Sequence, residues 1–234
     1  MLKRRLIAVL LFRDGVLTRT KNFVPDYIYT KNQVNVTDCD ELCCINLGGD
    51  WGLFRDAVNH VADEAMLPLT VGGGIDCMDL VSRCFGEMPA DKIVIGPRLT
   101  RELSDSFVTK YGAQSLVAGI TEGKAVPYWA DSGELLIQSV ERDGSLRGYP
   151  LEFAERFMGA GIPVVLGSGC EGYRSMLKGF EAGADACSTS NIFHFTPSGM
   201  KGIKRALLKR GVPIRDDNLQ AVSDAGHAPT GAIL

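Results

Sequence analysis

The sequence has little of what metal, membrane or nucleic-acid chemistry requires. Its 234 residues include only three histidines, His60, His194 and His227, and its seven cysteines form no C-x-x-C pair. No metal ligand set is expected from that supply, and no cofactor. An odd cysteine count, with Cys43 and Cys44 inside an apolar run, reads as reduced, mostly buried thiols in a cytoplasmic protein. No apolar run approaches the roughly 20 residues of a membrane span. A formal net charge of −3 leaves no basic excess to attract nucleic acid or an anionic membrane surface. The opening M-L-K-R-R-L-I-A-V-L-L-F imitates a signal peptide, but it runs into Arg13-Asp14-Gly15 without a small-residue cleavage site. It is expected to be a first strand.

What is present is a repeated grammar: a charge, a short apolar strand, then a glycine-rich or polar exit. Lys3-Arg4-Arg5 precedes L-I-A-V-L-L, Asp40-Glu41 precedes L-C-C-I-N, Asp91-Lys92 precedes I-V-I-G, and Glu134 precedes L-L-I. Runs of this kind read as strands buried on both faces, as in parallel sheets. The pattern predicts strands at 6–12, 42–46, 69–71, 93–95, 115–120, 135–137, 164–166 and 186–189. Helices are predicted near 52–66, from Asp76 as a cap to Phe85-Gly86, and near 101–111, 150–160, 172–182 and 198–210. The segment 16–30 reads as a β-rich loop and 31–39 as a poor helix. Between Thr121 and Glu134 the chain offers Pro127 and glycine at both ends, too little for a full crossover helix. Eight strands alternating with helices predict an α/β fold, a closed (β/α)8 TIM-type barrel over residues 1–215 with helices 1 and 5 shortened. The small, polar stretch 216–234 is expected to be a disordered tail.

The chain also echoes itself. P-L-T-V-G-G-G-I from Pro68 resembles P-V-V-L-G-S-G-C from Pro163, which predicts duplicated half-barrels and two similar anion sites. Glycine at a strand exit lets backbone N–H groups approach a phosphate, although it also serves tight strand-to-helix turns. Two clusters in symmetric positions favour phosphate binding, by Gly73, Gly74 and Gly96 in one half and Gly144, Ser168, Gly169, Ser190 and Asn191 in the other.

Several of these runs occur together in one family. T-V-G-G-G-I, S-V-E-R-D-G-S-x-x-G-Y, the G-S-G turn at 167–169, S-N-I-F-H-F at 190–195 and G-V-P-I-R at 211–215 resemble the cyclase subunit of imidazole glycerol phosphate synthase. The resemblance covers about residues 1–215. It implies a barrel that binds a substrate with a phosphate at each end. It also implies a glutaminase partner on the N-terminal face of the strands, sending ammonia through the barrel. The family's gate, a salt-bridged ring, falls on Arg5, Glu41, Lys92 and Glu134, all with matching residue types.

The opposite face departs from the family. Its two catalytic Asp positions, at the ends of strands 1 and 5, fall on Leu11 and Thr121, and Asn46 stands where the family has an Asp on strand 2. Asp143 matches, and any direct catalysis is expected there, with Asn46, Gln138, Ser139 and Arg142 positioning ligand. The pattern resembles a branch that accompanies sugar amidation in surface-polysaccharide synthesis, in which ammonia passes to a third, amidating protein. Two alternatives stand beside it. One is an authentic histidine-pathway cyclase with relocated carboxylates, and the other is a non-catalytic scaffold that activates a glutaminase.

Overall fold

The computed structural model describes residues 3–29, 36, 38–124, 126, 128–190 and 199–215. Its strands are β1 (Arg5–Arg13), β2 (Val16–Lys21), β3 (Val24–Ile28), β4 (Glu41–Asn46), β5 (Leu69–Gly72), β6 (Lys92–Ile95), β7 (Leu116–Thr121), β8 (Glu134–Gln138), β9 (Val164–Leu166) and β10 (Ala186–Thr189). Eight of them run parallel in chain order, and β1 pairs with β10 to close the barrel. The helices α1 (Trp51–Ala65), α2 (Met78–Glu87), α3 (Arg101–Tyr111), α4 (Leu151–Ala154), α5 (Tyr173–Glu181) and α6 (Gly199–Leu208) lie between strands or after the last.

The remaining two strands resolve the predicted β-rich loop. Val16 onward folds back on β1 as a β2–β3 hairpin, paired Phe12 to Leu17 and Lys21 to Val24. Its two-residue turn puts Asn22 and Phe23 at φ 54° and 61°, the left-handed conformations that such a turn requires.

Alternation along each strand sorts the core. Leu6, Ala8, Leu10 and Phe12 of β1 face the helices, whereas Ile7 and Val9 face the lumen with Cys43, Val117 and Leu136. Phe12 meets Phe54 of α1 edge-on at 6.0 Å.

The charges before the strands have a structural task. Asp91 exchanges two bonds with Leu69 at the start of β5, its backbone N–H donating to the Leu69 carbonyl and its carboxylate accepting the Leu69 N–H, both at 2.8 Å. Asp185 does the same with Val164 of β9, both at 2.9 Å. The carbonyls of Pro68 and Pro163 accept from Leu42 and Leu135 at 2.8 and 2.9 Å. The sequence echo is thus repeated as one hydrogen-bond pattern in each half. Asp40 clasps Leu6 in the same way, and its second oxygen accepts from Lys204 of α6 at 2.6 Å. Both side chains of that pair are almost fully buried.

Two expectations are corrected, and one is met. The predicted helix at 150–160 is only α4 followed by turns, and Gly159 and Gly161, in left-handed conformations, bar a helix from running through the end of that range. Asp76 does not cap α2: the cap residue is Cys77 without a side-chain bond, and Asp76 pairs with Arg98 instead. The crossover between β7 and β8 contains, among the described residues, one 3-10 turn at Trp129–Asp131, as its glycines and proline predict. The weak helix at 31–39 lies mostly outside the described residues, and the tail at 216–234 wholly so.

Lys204→Met should lower unfolding stability by about 3 kcal/mol in a urea titration, because it strands a buried carboxylate. Adding Asp40→Asn should restore most of it, since the amide oxygen still accepts from Leu6. A single variant as stable as the parent would show that α6 is held by its apolar face alone.

Candidate functional site

The N-terminal end of the lumen is closed by four charges. Arg5 Nη1 donates to Glu41 Oε1 at 2.7 Å and Arg5 Nη2 to Glu134 Oε1; Lys92 Nζ donates to Glu41 Oε2 at 3.3 Å and Glu134 Oε2 at 3.0 Å. Each carboxylate bridges both cations, so the ring is cyclic and internally neutral. The side chains are 17, 9, 21 and 6 % exposed for Arg5, Glu41, Lys92 and Glu134, so solvent screens them weakly. Burial pulls the Arg5 pKa down, but Glu134 and Glu41 outweigh it and leave it raised. The ring forms because all four residues occupy lumen-facing positions at the starts of β1, β4, β6 and β8.

Above the ring the lumen turns apolar through Ile7, Cys43, Val117, Leu136 and Val165. A void of about 20 Å³ there touches Glu134 and reaches Val9, Leu136 and Ser188. That is room for one water-sized molecule. Val9, Leu136 and Ser188 also floor a cavity of about 390 Å³ at the C-terminal end of the strands. The stack along the barrel axis is therefore charge ring, apolar throat and open cavity.

Most predicted exit-face residues do line this cavity: Leu11, Thr121, Gln138, Asp143, and the cradle residues Gly73, Gly74, Gly96, Gly144, Ser168, Gly169 and Ser190. Asn46 does not; its Oδ1 accepts from the Gly48 N–H at 2.9 Å and shapes the turn after β4. Ser139 is buried away from the cavity, and its carbonyl accepts from the Asp143 N–H. Arg142 also stays off the lining, donating to the Arg147 carbonyl. Asn191 lies outside the described residues.

Asp143 is tied to the hairpin. Its Oδ2 accepts from the Phe23 N–H at 2.9 Å and its carbonyl from the Asn22 N–H at 3.3 Å. Burial raises its pKa, partly offset by the bonds from Phe23 and Thr20. Phe23, in its left-handed conformation, lines the cavity beside it. Nothing in the sequence marked Phe23, because the pairing joins residues 120 positions apart.

The cradle glycines divide by cause. A Cβ on Gly73 would meet the Asn46 backbone at 2.0 Å, on Gly144 the Thr20 carbonyl at 2.6 Å, and on Gly169 the Gly148 carbonyl at 2.4 Å. Backbone crowding alone demands glycine at all three. Gly74 has open space around it at φ 71°, next to Arg98. Arg98 donates through Nη1 to Asp76 at 2.8 Å and, at a longer 3.5 Å, to the Gly74 carbonyl. Arg98 and Lys124 are the lining cations among the described residues, and Asp143 the lining carboxylate. Groups of histidine, cysteine and carboxylate suited to a metal are absent among the described residues. No helix among them is long and apolar enough to cross a membrane.

No protein-family model matches the chain. It is similar to curated imidazole glycerol phosphate synthase subunits HisF. The protein from Campylobacter concisus is 30% identical over 248 residues, covering 91% of this chain and 98% of that protein. The one from Pyrococcus furiosus is 28% identical, covering 93% and 100%. Among solved structures, phosphoribosyl anthranilate isomerase from Thermus thermophilus superposes with a TM-score of 0.60 at 16% identity, covering 88% of this chain and 97% of that one. A tryptophan synthase alpha-subunit variant from Pyrococcus furiosus gives 0.58 at 11%, with the same coverage. These two share the barrel fold.

Asp143→Ala should free the hairpin turn, seen as faster amide exchange at Phe23 and about 1–2 kcal/mol of lost stability. Asp143→Asn should keep the anchor. Because burial raises the folded-state pKa of Asp143 above its unfolded value near 3.8, its stabilisation is full below that value. It is lost as pH rises through the folded value, and Asp143→Asn should flatten that part of the stability profile. An unchanged pH profile would show that Asp143 titrates alike in both states.

Proposed function

We propose a function from one premise: the chain belongs to the HisF family of imidazole glycerol phosphate synthase subunits. In this reading it is the barrel subunit of a glutamine-dependent amidotransferase. A glutaminase docks on the N-terminal face, and ammonia passes the ring of Arg5, Glu41, Lys92 and Glu134 into the throat. The cavity at the other end holds a phosphorylated small molecule.

Within that family we read the chain as a specialised paralogue that has lost the imidazole-forming step. The observation that carries this is the composition of the cavity. Leu11 and Thr121 line it where the family resemblance puts two Asp, and Asp143 is the carboxylate among the described lining residues. Acid and base roles need two titratable groups whose environments separate their pKa values. Leucine carries no proton to transfer, and a threonine hydroxyl is a poor acid and a poor base at neutral pH. Asp143 is already committed to Phe23. Ammonia that reaches this cavity then has to be consumed elsewhere, by a third, amidating protein, as in the sugar-amidation branch.

Lys92 is the member of the ring best suited to move. Its contacts, at 3.0 and 3.3 Å, are longer than the 2.7 Å bond of Arg5 to Glu41. An ammonium is also a point charge without the fork geometry that fixes a guanidinium.

The test is ammonia-dependent turnover of the family's open-chain ribulosyl phosphate substrate with excess ammonium salt, so that no glutaminase is needed. The parent protein should show none. Turnover by the parent would overturn the paralogue reading in favour of an authentic cyclase. In a parallel assay with a co-purified glutaminase, Lys92→Met should change glutamine-dependent ammonia release at the cavity while binding of the two subunits persists. A barrel that stimulates glutaminase equally with and without Lys92 would be a scaffold.

A further inference from the structure

Past Leu17, which joins the core at its base, the β2–β3 hairpin is built inside out. Thr18 and Thr20 are buried, whereas Val24, Tyr27 and Ile28 are each more than half exposed. A hairpin folding for its own stability would bury the apolar side chains and expose the threonines. The polar inner side has a use, since Thr20 lines the cavity and its side chain bonds Asp143. The apolar outer side has none within this chain. Its charges are already paired, Arg19 with Asp26, and the Arg19 guanidinium stands over the Tyr27 ring at 5.9 Å.

This surface runs on to the cavity mouth. Gly144 packs against Thr20 and Lys21, and Lys21 pairs with Val24. Leu146, two residues beyond Gly144, is half exposed and lines the cavity, as does Phe23 in the hairpin turn. Four of the six large apolar side chains exposed among the described residues therefore gather here; the other two, Leu53 and Met66, belong to α1 and its C-terminal cap. Such clustering marks an interaction surface, where single scattered residues would not. β3 is also the last strand of the sheet, bonded to β2 and, among the described residues, to no strand beyond it. A free edge of that kind is a template for another chain.

The ammonia path decides what covers it. Ammonia that reaches the cavity leaves through this mouth, and in open water it takes up a proton and ceases to be a nucleophile. It arrives intact at another enzyme only if that enzyme seals the mouth. An apolar rim continuous with the cavity lets a docked protein exclude water there. We infer that the β2–β3 hairpin and Leu146 form the docking surface for the ammonia-consuming, amidating protein. That protein seats apolar side chains on Val24, Tyr27, Ile28 and Leu146 and adds an extended segment to the edge of β3. This rests on the function proposed above and gives its third protein a place on the barrel, at the end opposite the glutaminase.

Photocross-linking of the full chain in its own cell tests this, with benzoylphenylalanine placed at Val24, at Ile28 or, as a control away from the patch, at Met66. Val24 and Ile28 should each link to one protein that, once purified, amidates its substrate with ammonium salt alone, and Met66 should not. Val24→Asp and Ile28→Asp should each weaken binding of that protein about tenfold and lower its glutamine-dependent amidation to match. Its ammonium-dependent amidation should be unchanged, as should glutaminase binding and the urea midpoint of the barrel, because both positions are exposed. Ile28→Val should bind within about twofold of the parent. Links from Val24 and Ile28 to a second copy of this chain, to the glutaminase or to nothing would overturn the inference, and so would amidation indifferent to both Asp substitutions. An amidating protein that needs the barrel to use glutamine but links only from Met66 would remove this docking surface and leave the proposed function standing. Glutamine-dependent amidation that needs no barrel would sink both.

Discussion

Closure of the sheet between β1 and β10 is the constraint from which the rest follows. Pairing Arg5 with Ala186 and Ile7 with Ser188 fixes the rotation of β1 about its own axis. With a side-chain period of two, that decides which residues of every neighbouring strand face the lumen. Slipping β1 by one residue would turn Arg5 toward the helices and Leu6 into the ring. The three aspartates before β4, β6 and β10 guard against such a slip, because each ties its own backbone and carboxylate to a residue at the start of an adjacent strand, Leu6, Leu69 and Val164. Register, charge ring and throat are one decision.

The parts legible in the sequence were those written locally. Short apolar runs gave all eight barrel strands, and those at 164–166 and 186–189 match the structure to the residue. The ring was legible because its four members sit at the same offset before or at the start of a strand. The barrel itself agrees with the solved folds it superposes on. What escaped was what only the closed barrel brings together. Lys204 and Asp40 are 164 positions apart and bear no mark of pairing. The hairpin does not announce itself in one dimension because its turn, Asn22-Phe23, lacks the glycine that usually marks a left-handed pair. Glycine was ambiguous for a different reason: a residue needed because another backbone lies 2 Å from its Cβ direction looks, in one dimension, the same as one needed for a phosphate.

The energetics of the ring bear on what the barrel does. Four charges withdrawn from water cost several kcal/mol each before their mutual attraction repays it, and apolar residues of similar volume in such places are often no less stable. The lumen just above is filled in that apolar way by Ile7, Val117, Leu136 and Val165, so the fold can pack its axis without charge. A ring of alternating sign at that level is therefore weakly explained by stability. Under the proposed function it is explained by passage, since a small polar molecule crossing it can exchange hydrogen bonds with carboxylates and an ammonium one at a time. The opposite end shows the reverse choice. There Leu11 occupies a lumen-facing position at the rim of an open cavity, where a carboxylate would be solvated and inexpensive. Charge is kept at the costly ring, while at the open cavity Leu11 and Thr121 stand where the family resemblance puts two Asp; that contrast supports the proposed barrel, which admits ammonia and holds a ligand, over one that closes a ring.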